Sequence, residues 1–322
     1  MTTALLRQLQ CAAAIGFVSC ASPAAASIDL NDSRLRTHQI DFDYVEPKNA
    51  AHGELYATLR KMRMLEQLQE FLSPVRLPRR VMFRIQGCDG KASATFDTDT
   101  ITVCYEYFDT IRKHVPKIER EGLTPQDALV GPIVDTLLHE FGHALLRIID
   151  VPFFGKEEDV ADNVAIYLLL TFAKDDSRRL IVGASFFADA EDVVQKSKNP
   201  KYDELADAHS LLAQRHFNRW CLAYGADAEL FSDAVENGVL PENRAKWCRY
   251  EWATNSYAFE KLVEPYIDQV QKEVVKLKRW FPFESAFPAR MVRPDAAPGD
   301  KVEPAKRAAE DTQGSAPQGA AR

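Results

Sequence analysis

No run of about twenty apolar residues occurs anywhere in the 322-residue chain, so a membrane-spanning helix is not expected from it. There is no C-x-x-C pair, which removes the commonest cysteine zinc sites. Cationic excess is also missing: 40 Lys and Arg stand against 47 Asp and Glu, a net charge of -7. A nucleic acid or an anionic membrane would find no broad basic surface, which leaves small molecules and polypeptides as partners. No internal repeat is visible. From Pro288 to the end there is no aromatic residue, the stretch is rich in alanine, proline and charge, and residues 288–322 read as a disordered tail.

The first 26 residues are of a different kind. Arg7 precedes an apolar stretch from Cys11 to Val18, and Ala24-Ala25-Ala26 supplies a small-residue cleavage site before Ser27. This reads as a secretory signal peptide, with release to the periplasm or medium expected. Gly16-Phe17-Val18-Ser19-Cys20 also resembles a lipobox, so anchoring through a lipidated Cys20 is the alternative. Removal of the leader takes six cysteines to four: Cys88, Cys104, Cys221 and Cys248. In an oxidising compartment these predict two disulfides, and proximity in sequence favours Cys88 with Cys104 and Cys221 with Cys248.

After a polar lead over 27–50, Leu55, Leu59, Met62, Leu65, Leu68 and Leu72 recur at helical spacing up to Pro74 and predict one amphipathic helix. VMFRIQGC and ITVCYEYF are β-rich and flank the turn-prone CDGKASATFDTDT, which predicts a hairpin or small sheet with Tyr105 and Tyr107 on one strand face. Thr124-Pro125 is a cap and first residue for a helix that Gly131-Pro132 would kink and Asp150-Val151-Pro152 would end. A turn at Phe154-Gly155 leads to the helical EEDVADNVAIYLLLTF. From Tyr202 to Trp280 several helices and no clear strand are expected. The fold class is therefore α+β, predominantly helical.

That capped helix carries LLHEFGHALL, residues 137–146. His139 and His143 lie one turn apart on the same face, so both rings can meet one metal ion, and Glu140 can reach a water there without being a ligand. Gly142 removes bulk where a second helix must approach. Three polar side chains on an otherwise apolar helix need a common partner. A catalytic zinc site needs a third protein ligand, and downstream lie Glu157, Glu158, Asp159 and Asp162. Glu158 and Asp162 share a face by their i, i+4 spacing, so one can bind metal while the other holds a ligand histidine's free N–H. Glu157 and Asp159 read as charges favoured by the helix dipole.

HEFGH followed by E-x-x-A-D looks like the glutamate-zincins. More closely, HEFGHALL, GKEEDVADN, the CYE of 104–106, HSLLAQRHFN and PENRAKWC resemble an exported bacterial family of unknown function grouped with the metallopeptidases. The resemblance implies a zincin-like domain over 51–287, with the metal in a cleft between two lobes. It implies His139, His143 and Glu158 as zinc ligands, Glu140 as general base, and Asp162 behind a histidine. The short connection from His143 leaves Glu157 or Asp162 open as the third ligand.

The implied reaction is amide hydrolysis of a peptide or protein substrate, with zinc-activated water and Glu140 taking its proton. The oxyanion needs a further donor, for which His209 and Arg215 are the candidates and Tyr105 a weaker one. The strand ITVCYEYF is either the edge along which a peptide lies or a core strand. A noncatalytic binding or scaffolding protein on the same frame is the alternative function, one that has no need of Glu140.

Overall fold

The computed structural model describes residues 30–115, 123–190 and 200–282. The expected leader, Cys20 and the tail from Pro288 lie outside these residues. Four strands form one sheet: β1 (Ile40–Tyr44), β2 (Val81–Gln86), β3 (Ala94–Asp97) and β4 (Thr100–Cys104), in the order β1-β2-β4-β3. β2 alternates in burial, turning Val81, Phe83 and Ile85 inward as a one-sided sheet requires.

The pairing differs from the expected hairpin. The strands of VMFRIQGC and ITVCYEYF run parallel, from Met82 opposite Thr100 to Gln86 opposite Cys104. The turn-prone stretch between them holds a strand of its own, β3, which pairs antiparallel with β4. That inserted strand lets the chain reverse twice and bring β4 back alongside β2. β4 is thus an inner strand and β3 the edge. β1, which lies inside the supposed polar lead, pairs parallel with β2.

The second β-rich segment stops at Cys104, where α3 (Tyr105–His114) begins. Tyr105 and Tyr107 therefore sit on a helix. Tyr105 is buried and its hydroxyl donates to the Val45 carbonyl at 2.7 Å, turned away from any substrate. The predicted N-terminal helix is two, α1 (Gly53–Lys61) and α2 (Met64–Phe71), separated where Arg63 adopts φ 54. The break lets Met62 and Met64 both enter the core.

α4 (Pro125–Ile148) is the central element, with 20 of its 24 residues buried. Thr124 caps it by accepting from the Asp127 N–H, a contact of about 1 kcal/mol. The helix continues unbroken through Gly131-Pro132 and ends before Asp150. Phe83 of the sheet stacks on Phe141, ring centres 6.3 Å apart, which seats α4 beneath the strands. Against it pack α5 (Glu157–Phe172) and α6 (Ser177–Ala190), and α8 (Leu212–Ala226) packs in turn on both of these. The short α7 (Tyr202–Ala206) precedes α8, and α9 (Asp233–Glu236), α10 (Glu242–Leu262) and α11 (Gln269–Lys276) complete the chain. Cys88 is bonded to Cys104, tying the ends of β2 and β4, and Cys221 to Cys248, tying α8 to α10.

Two glycines of α4 fix how closely its neighbours lie. A Cβ on Gly131 would stand 2.6 Å from backbone atoms of α6, and one on Gly142 would stand 2.9 Å from the Cα of Ala161 on α5. The second crossing matters for the site: Ala161 lies between Glu158 and Asp162, so the absence of a side chain at 142 brings both acids against the histidines.

Candidate metal centre and cleft

His139, Glu140 and His143 are all buried at the middle of α4. The Nε2 atoms of the two histidines are 3.2 Å apart, and Glu158 Oε2 lies 3.2 Å from His139 Nε2 and 3.3 Å from His143 Nε2. The ligand-type atoms of His139, His143 and Glu158 all fall within 4.8 Å of one another. The other two candidate acids stand behind the rings. Asp162 Oδ1 is 2.8 Å from His139 Nδ1, and Glu157 Oε1 is 2.8 Å from His143 Nδ1. Of the three acids, Glu158 alone faces both Nε2 atoms.

This arrangement fits a cation. A neutral imidazole that donates from Nδ1 to a carboxylate carries its lone pair on Nε2. Two such lone pairs and a carboxylate oxygen then point at one another across about 3 Å, a repulsive contact that a divalent ion between them converts into coordination. Two imidazole nitrogens and one carboxylate oxygen are a donor set suited to zinc. Protonation is the metal-free alternative. Burial disfavours charge on His139, but the hydrogen bonds to Asp162 and Glu158 outweigh it and raise its pKa to about 9. The same His139 contact holds Glu158 down at about 2, against its partial burial.

Each backing acid has its own support. Arg147 donates to Glu157 at 2.9 Å. Asp162 is partly buried, which opposes its charge, yet Arg215 grips it through Nε at 2.6 Å and Nη2 at 2.7 Å and holds its pKa well below the usual range. Glu157 therefore does more than favour the helix dipole. So does Asp159, which accepts from Ser210 Oγ at 2.9 Å.

Glu140 is placed differently. It lines a cleft of about 270 Å³ beside His139 and His209, and its carboxylate makes no hydrogen bond among the described residues. Burial raises its pKa, against the pull of His139 and His143. Ser93 and Ala94, at the start of edge strand β3, form the opposite wall.

His209 comes from the loop before α8. Its Nε2 is 3.0 Å from Glu158 Oε2, and Asp207 holds the other side, taking the His209 N–H at 2.8 Å and facing Nδ1 at 3.0 Å. Lys156 straps that loop by donating to the carbonyls of Asp207 and His209. Arg215 lines the same cleft, and its Nε and Nη2 both donate to Asp162, so these two donors serve the acid behind His139. Asp207 and the cleft residues Asp135 and Arg219 carry no motif in the sequence, and Lys156 lies in GKEEDVADN with no role assigned to it there. Their roles depend on contacts that only folding creates.

No curated protein and no solved structure matches the chain. A family model described as "Putative metallopeptidase" matches residues 44–263, a span that covers β2 to β4, the paired histidines, the backing acids and both disulfides. That span is well over half of the chain, and the protein belongs to this metallopeptidase family.

Proposed function

We propose that the protein is an exported zinc-dependent peptidase with a zincin-type centre. The observation that carries the reading is the convergence of His139 Nε2, His143 Nε2 and Glu158 Oε2, with His139 and the unpartnered, buried Glu140 both lining the cleft. His139, His143 and Glu158 would hold the metal, with Asp162 and Glu157 fixing the ring tautomers. Zinc bound there supplies a water acidified from about 15.7 toward 7 and polarises the substrate carbonyl.

Glu140 takes the proton of the attacking water and returns it to the leaving amine, a task suited to a carboxylate whose pKa burial has raised. With Glu158 engaged as a ligand, the Nε2 of His209, turned by Asp207, would be released to donate a hydrogen bond to the oxygen that gains charge as the carbonyl carbon becomes tetrahedral. Arg215 is a positioning residue, acting through Asp162 on His139. An extended substrate lies beside Ser93 and Ala94 as an added strand on the edge strand β3. Export accords with the two disulfides. Among the described residues no helix is long and apolar enough to cross a membrane.

The test is a peptide-library digestion with metal analysis of the same preparations. Wild type and Glu140→Gln are each expected to hold about one zinc, and only wild type to cleave. Equal cleavage by the two would remove Glu140 from the role given to it.

A further inference from the structure

The cleft continues past Glu140 toward the N-terminal half of α4, and its floor there is an ion pair outside the catalytic set. Asp135 and Arg219 are both buried, and Arg219 Nη2 donates to Asp135 Oδ2 at 2.6 Å. Both side chains line the cleft. The pair is incomplete: Arg219 Nε has no acceptor and Asp135 Oδ1 no donor among the described residues. A buried guanidinium normally spends its donors, and a buried carboxylate both its oxygens. Here one enclosed guanidinium donor and one carboxylate oxygen are left over on two residues of the same cleft lining.

Asp135 precedes His139 by one helical turn, about 6 Å along the axis. That is the reach of the side chain next to the bond being cut. Tyr107 and Thr136, hydroxyls 2.8 Å apart, wall the same space. Each class of substrate side chain meets this floor differently. An aliphatic group would cover the spare donor and acceptor and leave them unpaired. A carboxylate would approach Asp135, and an ammonium Arg219, with the opposite charge already neutralised. A carboxamide offers an N–H to Asp135 and a C=O to Arg219 at once and adds no charge.

We propose that Asp135 and Arg219 form a specificity pocket for a neutral carboxamide side chain, glutamine or asparagine, at a residue flanking the scissile bond. The inference rests on the peptidase reading for its substrate and on the pocket alone for its selectivity.

The test uses the full mature chain with Glu140→Gln, which binds peptide without turnover on this reading. Acetylated and amidated peptides of one sequence, with Gln, Glu, Lys or Leu at either residue flanking the central amide, are titrated by calorimetry. At one of the two positions Gln is expected to bind about tenfold tighter than the other three. Adding Asp135→Asn leaves Arg219 uncompensated and is expected to move the preference to Glu. The double change Asp135→Leu with Arg219→Met, which replaces the pair by apolar groups, is expected to move it to Leu.

Absence of binding, equal binding of the four peptides, or a Gln preference unmoved in both folded variants overturns the proposal. Gln-selective binding without cleavage by the unsubstituted chain would keep the pocket and remove the peptidase. Cleavage without selectivity would do the reverse.

Discussion

Arg215 closes two hydrogen bonds on Asp162, at 2.6 and 2.7 Å, and Asp162 in turn faces the Nδ1 of His139. The two charges are largely buried, so neither is screened by solvent and each depends on the other. Arg215→Met leaves Asp162 without its guanidinium and His139 without a fixed partner. Metal affinity, measured by chelator competition, is expected to fall about 10- to 100-fold, the usual effect of losing a group that orients a ligand. Unchanged affinity would show that His139 needs no such support.

Gly142→Ala tests the crossing of α4 and α5. Helix propensity alone predicts a gain of up to about 1 kcal/mol from replacing a helical glycine. The new Cβ would lie 2.9 Å from Ala161 Cα and 3.0 Å from its carbonyl oxygen, so α5 must move. The expected result in denaturant unfolding is a loss of about 1–3 kcal/mol, with weaker metal binding because Glu158 and Asp162 move together. A stabilised variant would contradict the packing.

The metal-free chain should have a stability profile set by the same residues. The pKa of His139 is raised from 6.5 to about 9, so its contribution is fully present below 6.5 and is lost as pH rises through 9. That of Glu158 is lowered from 4.5 to about 2, so its contribution is present above 4.5 and is lost as pH falls through 2. Calorimetry of chelator-treated protein is expected to show the highest midpoint between about pH 4.5 and 6.5. Zinc, by replacing the proton on His139, should remove the alkaline decline.

The Cys221–Cys248 bond holds α8, which carries Arg215 and Arg219, against α10. It closes a loop of 27 residues, for which chain entropy predicts about 3–4 kcal/mol of stabilisation. The double serine variant is expected to lose about that much in denaturant titration. Its metal affinity should fall less than that of Arg215→Met, because the ligands sit on α4 and α5.

What the sequence disclosed followed the range of the signal. Two histidines four apart, the acids at 158 and 162, the Thr124-Pro125 cap and the bulk-free Gly142 are local patterns read from helical periodicity, and their placement accords with the reading. The disulfide pairs were legible because each is short in sequence. β3 was hidden because four residues inside a turn-prone stretch gain their strand character only from pairing with β4. The break at Arg63 has no glycine or proline to announce it. Tyr105 and Tyr107 read as strand by propensity, yet the chain turns helical there once Cys104 is fixed to Cys88. Asp207 has no sequence pattern that marks it, and the Asp135–Arg219 pair joins residues 84 apart.

X-ray absorption at the zinc edge of the reconstituted chain tests the metal centre most directly. The account predicts one tightly held zinc with a shell of nitrogen and oxygen at about 2.0–2.2 Å, two of its scatterers showing the outer-shell pattern of imidazole. Glu158→Ala should lose an oxygen from that shell. A sulfur shell near 2.3 Å, or a shell unchanged by Glu158→Ala, would contradict it.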